Sequence, residues 1–223
     1  MVPDNKVKNV RINGGIVKIA GNDYDSALAF CEGLVKVQNQ YLVHPFDDSS
    51  VVAGAGTIGL EIIEETRGDL DCVLVPLSGG GLLAGVATAV KAYAPQIRVI
   101  GVSMENGASM FNSIKAGRPV NVTEVETVAD ALGGNIGLNN KWTFETVRDL
   151  VDEVVVVSEN DIKEAIRLIF KHHGFVSEGA GAVGIAALTG GAVKCKGKVA
   201  CVLSGRNISE KKFLDIVNNS GVN

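Results

Sequence analysis

The sequence predicts an α/β protein in which helices flank a parallel sheet. Its strand-like segments are uninterrupted apolar runs, such as Val154 to Val157, and such runs are typical of strands buried on both faces. Glycine-rich turns and helical apolar patterns follow several of these runs, which gives a repeated strand–turn–helix order. Apolar residues make up 46% of the 223 residues and charged residues 21%, as in a globular protein with a sizeable core.

Residues 1–48 are predicted to form part of a small α/β lobe. The proline and the paired aspartates within 44–48 favour turns, so this segment is expected to connect the lobe to the rest of the chain. Two strands cannot form a stable sheet alone, so we expect part of the lobe to be missing from this sequence. The expected elements are a helix over 7–12, a strand over 16–19, a helix over 24–37 and a strand over 41–43.

Residues 49–223 are predicted to form a larger, incomplete domain that contains the main sheet. A capping box at 158–161 opens a helix whose apolar residues recur at helical spacing over 162–170. A second helical pattern covers 82–90 and follows a glycine turn. Strands are expected over 71–76, 98–102, 154–157 and 199–203.

Charge and hydropathy exclude several classes of protein. Acidic residues (25) exceed basic residues (21), so no basic excess is available to bind nucleic acid. The longest mostly apolar stretch, 77–90, is shorter than the about 18 residues that a membrane span requires. The N-terminus has no apolar run of the kind found in signal peptides, and we expect a cytoplasmic protein without a membrane partner.

Histidine and cysteine spacing predicts no metal site. The histidine at 44 has no cysteine or histidine partner at metal-ligand spacing, and the pair at 172–173 ends a helix, where the dipole favours a cation. No CxxC pair occurs and two of the four cysteines lie in apolar runs, so we expect buried, reduced thiols. The cysteines are Cys31, Cys72, Cys195 and Cys201.

A glycine-rich turn between a strand and a helix is a candidate phosphate site. The segment Ser78-Gly79-Gly80-Gly81-Leu82 can point successive N–H groups at one anion, and the helix N-terminus adds positive potential. The Walker pattern is absent, and the glycine spacing departs from the dinucleotide fingerprint. A tight strand–helix turn that binds nothing is the alternative interpretation.

Three further positions place polar or flexible residues at turns. Ser204 follows the last strand and is either a hydrogen-bonding group for a ligand or a helix N-cap. Glu178 precedes a helix of small residues and is either a helix-terminus charge or a partly desolvated site group. Gly133 belongs to a turn that suits close backbone approach to a ligand.

In order and spacing, these motifs resemble those of the serine/threonine dehydratase family. This family belongs to the fold type II pyridoxal-phosphate enzymes, to which serine racemase is related. The resemblance covers essentially the whole chain and implies a fold similar to the β subunit of tryptophan synthase. The segments that carry it are Val2-Pro3, His44-Pro45, Ala53 to Thr57, Val75 to Gly85, Ala129-Asp130, Ser177 to Gly181 and Leu203 to Asn207.

The resemblance implies a pyridoxal 5'-phosphate cofactor and a role for each turn. The loop from 78 to 82 would hold the phosphate through N–H groups, and Ser204 would hydrogen-bond the pyridine nitrogen. A neutral serine cannot keep that nitrogen protonated, and such a site suits proton removal at Cα followed by loss of a β-hydroxyl group. Glu178 would lie near the ring, the Gly133 turn would line the pocket, and Asn207 would complete the cofactor-binding set.

Two motifs of the family have no match in this chain. The family forms its Schiff base with a lysine in an early serine-x-lysine-x-arginine type segment, and a serine-glycine-asparagine-histidine type loop binds the substrate carboxylate. Both precede the part of the family that this chain resembles. We therefore expect a truncated or split enzyme that has no catalytic residue of its own and is inactive alone. Ser103 and Ser109 stand where relatives place acidic metal ligands, so no metal is expected.

The expected function is that of a portion of a pyridoxal-phosphate-dependent ammonia-lyase, or dehydratase. Its substrate would be serine, threonine or a related β-hydroxy amino acid, and its products a 2-oxo acid and ammonia. The alternative is a non-catalytic protein that kept the scaffold and binds a phosphate-bearing ligand or a partner chain. Relatives commonly form dimers and unpaired strand edges favour association, so we expect a homodimer or association with an N-terminal segment.

Overall fold

A computed structural model describes residues 3–219 and confirms the predicted α/β architecture. Within these residues, the strands form one sheet in the order β3-β2-β1-β4, and every neighbouring pair is parallel. The parallel arrangement explains the uninterrupted apolar runs, because helices cover both faces of the sheet. The strands are β1 (Cys72–Pro76), β2 (Arg98–Met104), β3 (Glu153–Val157) and β4 (Val199–Cys201).

Helices separate the strands and supply two hydrophobic cores, one on each face of the sheet. Alternate residues of β1 point to opposite faces, so that Leu74 joins the core beneath α7, α8 and α9, while Val75 joins the core beneath α3, α4 and α6. A 3₁₀ helix covers Asp130–Leu132. The helices are α1 (Asp4–Ile12), α2 (Tyr24–Gln38), α3 (Ser49–Thr66), α4 (Gly81–Tyr93), α5 (Ser109–Ala116), α6 (Thr143–Leu150), α7 (Glu159–His173), α8 (Gly179–Thr189) and α9 (Glu210–Asn218).

Glycines allow α3 and α4 to pack in close contact. A Cβ atom on Gly85 would lie 2.3 Å from the carbonyl oxygen of Val52 and 2.6 Å from the backbone nitrogen of Gly56. The last glycine of the loop motif therefore serves helix packing on this face of the sheet.

The N-terminal lobe departs from the prediction in its strands. The helices α1 and α2 are present, but the segments 16–19 and 41–43 form no strand. Most of their side chains are exposed, with Ile16 at 89% and Tyr41 at 81% of full accessibility, and no described strand lies beside them to complete a ladder. In the motif Val2-Pro3, Pro3 is the N-cap of α1, and Val2 lies outside the described residues.

The cysteines also depart from the prediction. Cys72 and Cys195 are paired as a disulfide across 123 residues of sequence, and Cys31 is exposed rather than buried. The pairing follows from the sheet, because the segment before β4 runs beside the start of β1. No helix between residues 3 and 219 combines the length and the hydropathy that a membrane crossing requires.

Candidate functional site

The candidate site lies at the carboxyl edge of the sheet, where the chain leaves β1 and β4. Leu74 pairs with Cys201 in parallel register, and the N–H of Val202 donates to the carbonyl oxygen of Leu74 at 3.0 Å. The glycine loop after β1 and the Ser204 turn after β4 therefore leave the sheet at the same edge. This is the edge at which open parallel α/β sheets bind their ligands.

The glycine loop presents a row of backbone N–H groups without acceptors. Within residues 3–219, none of the N–H groups from Ser78 to Leu82 donates a hydrogen bond, although Gly79, Gly80 and Gly81 are buried. Gly80 has a φ of 92°, a conformation in which a side chain would be strained. Buried N–H groups nearly always find a partner, so a loop with this many free donors at a helix N-terminus fits an anion.

Glu178 lies at the start of α8 and is bound to the turn after β4. Its N–H donates to the carbonyl oxygen of Gly205 at 3.1 Å, and its side chain contacts Gly205 so closely that any Cβ there would collide with Oε1. The side chain is only 8% exposed, and its Oε2 atom has no hydrogen-bond partner among the described residues. Although Glu178 is the N-cap residue of α8, its side chain makes no capping bond.

Burial raises the pKa of the Glu178 carboxyl above its ordinary value of 4.5. The positive charge of Lys6 opposes this shift, the negative charge of Asp130 adds to it, and a backbone hydrogen bond from Asn207 and the charge of Lys212 also oppose it. The net direction shows that desolvation prevails over the nearby cations. The carboxyl group can therefore hold a proton closer to neutral pH than an exposed glutamate can.

Three of the predicted residues border one cavity. Glu178, Ser204 and Asn207 line a space of about 600 Å³ beside α1. Ser204 is exposed and is not a helix N-cap, because α9 begins at Glu210 and Ser209 caps it. Of the two interpretations of Ser204, the structure thus excludes the capping one and leaves its hydroxyl group free for a ligand.

Helix α1 contributes residues that the sequence did not indicate. The side-chain amides of Asn5 and Asn9 donate to Oδ1 of Asn207 at 3.0 and 3.3 Å, and Lys6 forms an ion pair with Asp130 at 3.0 Å. The two amide bonds join α1 to the turn after β4, and the ion pair joins α1 to the 3₁₀ helix. The only sequence signal was the spacing of two asparagines by four residues, which places them on one helix face.

Gly133 is linked to the site through Asp130, which forms the ion pair with Lys6. It follows the 3₁₀ helix that carries Asp130, and a Cβ atom added to it would lie 3.3 Å from Oε1 of Glu124 and 3.4 Å from the carbonyl oxygen of Asp130. The next residue, Gly134, has a φ of 99° and lies against the ring of Tyr24 in α2. The structure therefore links this turn to the N-terminal lobe, and its contact with a cofactor stays a prediction.

Fold and site together define an α/β protein with a loop of free N–H groups and a buried carboxyl group at one sheet edge. Comparison with known proteins identifies the class. Residues 1–205 match the family model described as pyridoxal-phosphate dependent enzyme. The chain belongs to this family. The free N–H groups of the loop suit a phosphate group, and the polar groups that line the neighbouring cavity include the Ser204 hydroxyl and the Glu178 carboxyl.

Several relatives resemble the chain over nearly all of its length. A protein of Sinorhizobium fredii assigned as a threonine dehydratase is 48% identical over 219 residues, which are 98% of this chain and 66% of that protein. An L-threonine ammonia-lyase of Thermotoga maritima is 40% identical over 99% of this chain and 54% of its own length. The structure of maize serine racemase superposes with a TM-score of 0.86 at 29% identity, over 96% of this chain and 65% of that one. The chain thus spans one half to two thirds of the length of these relatives.

Proposed function

We propose that the chain is the cofactor-binding portion of a pyridoxal-phosphate-dependent ammonia-lyase that acts on threonine, serine or a related β-hydroxy amino acid. The observation that carries the proposal is the row of unpaired N–H groups from Ser78 to Leu82, at the same sheet edge as Ser204 and Glu178. The names of the relatives support the substrate class. The products would be a 2-oxo acid and ammonia.

Each of these groups has a distinct chemical role in the proposal. When bound, pyridoxal phosphate withdraws electrons from the substrate Cα, which labilises the Cα proton and the β-hydroxyl group. The glycine loop would bind the phosphate, and Ser204 would offer its hydroxyl to an unprotonated ring nitrogen. Glu178 would hold a proton near the ring, since burial raises its pKa.

We further propose two units, a small lobe over 1–48 and a cofactor domain over 49–223. The lobe would close over the site, supported by the bonds from Asn5 and Asn9 to Asn207. Without the lysine segment that the family uses, this chain alone would bind the cofactor but not turn over substrate. Catalysis would require this lysine from a preceding segment or from an associated polypeptide, in a dimeric cytoplasmic assembly.

Titration with pyridoxal phosphate, followed by absorbance and calorimetry, tests the cofactor site. We expect saturable binding that inorganic phosphate competes away, and Ser204→Ala should weaken it about tenfold, as expected for one lost hydrogen bond. Ser158→Ala is the matched control, because this hydroxyl accepts from the N–H of Asp161 and caps α7. The control should lose stability and keep its affinity. Absence of binding to the wild-type chain, or binding that phosphate does not displace, would refute the site.

A fusion tests the activity. The lysine-bearing segment of the Thermotoga maritima relative, joined in front of this chain, should restore formation of a 2-oxo acid from threonine. The unfused chain should form none, and borohydride should fix no cofactor to a single lysine. Turnover by the unfused chain would disprove the requirement for the lysine-bearing segment. A fusion that binds the cofactor without turnover would favour the second candidate function, a non-catalytic phosphate-ligand-binding protein.

A further inference from the structure

The connector between the N-terminal lobe and α3 lies directly across the glycine loop. A Cβ atom on Gly79 would lie 2.2 Å from ring atoms of Phe46, and one on Gly81 would lie 2.9 Å from the Phe46 Cα atom. Phe46 therefore packs with its ring and its backbone against two of the residues that carry free N–H groups. Any movement of the connector would change the space around these donors.

Asp47 anchors this connector to a distant helix. Its carboxylate accepts hydrogen bonds from the N–H groups of Lys141 and Trp142, both at 2.8 Å, and of Thr143 at 3.1 Å. These residues stand 94 to 96 positions later in the sequence, at the start of α6. Trp142, the N-cap residue of α6, makes no capping bond with its own side chain, so Asp47 supplies a negative charge where the helix dipole favours one.

The start of α6 in turn contacts the second glycine of the loop. A Cβ atom on Gly80 would lie 3.0 Å from the Cβ atom of Thr143, which is fully buried. Thus Phe46 covers Gly79 and Gly81, Thr143 covers Gly80, and the carboxylate of Asp47 joins the two covering segments. The loop is held between them.

His44 completes the connector. Its Nδ1 atom accepts the N–H of Asp47 at 2.8 Å, and its ring meets the ring of Phe46 edge-on, with centroids 4.6 Å apart. The N–H of Asp47 is thus satisfied within the connector, while its carboxylate is bonded to the start of α6. Burial lowers the pKa of His44, while the charges of Asp47, Asp48 and Glu32 act in the opposite direction.

We propose that Asp47 is a positioning residue for the phosphate loop: it ties the connector to α6 and so fixes the N–H groups of residues 78–82 in the arrangement that receives a phosphate. The inference rests on the proposed cofactor site. Within residues 3–219 the Asp47 carboxylate makes no hydrogen bond to the loop, and it acts through Phe46 and Thr143. Because the donors are fixed before binding, the loop does not have to be ordered when the ligand arrives.

Asp48 provides a matched control at the neighbouring position. Its carboxylate also caps a helix, accepting from the N–H groups of Ser50 and Val51 at 2.8 and 3.1 Å, but this helix is α3, which follows directly in the sequence. Asp47→Ala and Asp48→Ala each remove an aspartate that caps a helix. They differ in whether the lost bonds reach α6 and the loop.

The test compares affinity for pyridoxal phosphate and for inorganic phosphate, measured by calorimetry well below the unfolding temperature. We expect Asp47→Ala to weaken both about tenfold or more, the effect of misplacing one hydrogen-bond donor, and Asp48→Ala to change neither beyond about twofold. Asp47→Asn keeps one acceptor oxygen and should fall between Asp47→Ala and the wild type. If Asp47→Ala does not fold, Asp47→Asn replaces it in the comparison with Asp48→Ala. Equal affinities for the Asp47 and Asp48 variants would overturn the inference.

Amide hydrogen exchange gives a second measurement that needs no ligand. The N–H groups of residues 78–83 should exchange faster in both Asp47 variants than in Asp48→Ala, and the emission of Trp142, the only tryptophan, should change with them. Unchanged exchange in the loop would refute the positioning role. If the wild-type chain binds neither ligand, the proposed function fails, while the exchange result still decides whether Asp47 fixes the loop.

Discussion

The substitution Glu178→Gln is expected to stabilise the protein while it weakens the proposed site. The Glu178 side chain is 8% exposed, and its Oε2 atom lacks a partner within the described residues. A buried polar group without a partner costs about 1–3 kcal/mol, and a charged one costs more. Glutamine keeps the shape and removes the charge, so we expect a gain of about 1 kcal/mol at pH 7. For a chain of this length, that gain corresponds to roughly 2–4 °C in Tm.

The pH dependence of this gain follows from the raised pKa of Glu178. The protonated Glu178 carboxyl contributes to the stability of the wild type below about pH 4.5. This contribution is lost as the pH rises through the folded-state pKa of Glu178. Glutamine does not titrate, so the difference in stability between the two proteins should be smallest near pH 4.5 and should grow as the pH increases. Thermal unfolding followed by circular dichroism from pH 4.5 to 8 measures the difference.

Glu159 is the matched control for this substitution. Its carboxylate accepts the N–H of Val128 at 2.8 Å and the hydroxyl of Thr127, so both oxygens are used. Glu159→Gln should therefore lower Tm at pH 7, opposite in sign to Glu178→Gln. A lower Tm for Glu178→Gln at pH 7, or a difference that does not vary with pH, would refute the reasoning. Weaker binding of pyridoxal phosphate by Glu178→Gln would show that the destabilising carboxylate is needed at the proposed site.

Three further predictions concern packing, pH and thiol reactivity. Gly85→Ala should destabilise the chain by about 1–3 kcal/mol in urea unfolding, because its Cβ would enter the α3–α4 contact. Gly54→Ala in α3 meets no atom within 4 Å and should instead gain about 1 kcal/mol, so equal effects would contradict the packing account. Since burial lowers the pKa of His44 from 6.5, stability should fall as the pH drops below 6.5, and His44→Gln should lose this part of the pH dependence. Iodoacetamide at pH 8 should modify the exposed Cys31 and spare Cys201, because burial raises the pKa of Cys201 to about 11. Mass spectrometry of the digested protein measures the modification, and faster labelling of Cys201 than of Cys31 would contradict the prediction.

The sheet was predictable because the apolar composition of its strands indicates that both faces are buried. β1 and β2 are apolar at almost every position, and only a strand covered on both faces needs that composition. Parallel strands end at the same edge, so the glycine loop and the Ser204 turn were expected together. Burial of Glu178 could not be predicted in the same way, since it depends on Gly205, which is remote in sequence.

The failed strand predictions in the N-terminal lobe have a physical cause. The segments 16–19 and 41–43 have the β-branched and aromatic residues of strands, but a strand also requires a partner that accepts its hydrogen bonds. Composition shows the preference of a segment and does not show whether a partner is present. The exposure of Ile16 and Tyr41 is the result of this missing pairing.

The two aspartates of the connector differ in how far their roles follow from the local sequence. Both favour a turn, and the segment does turn at this position. Asp48 is used locally, because it caps the helix that begins at the next residue, and its role follows from the sequence. Asp47 has no such local use, and its three acceptor bonds reach backbone groups 94 to 96 residues away. A half-buried carboxylate that has no local partner therefore indicates a distant one. For Asp47 this partner is the start of α6, which contacts the glycine loop.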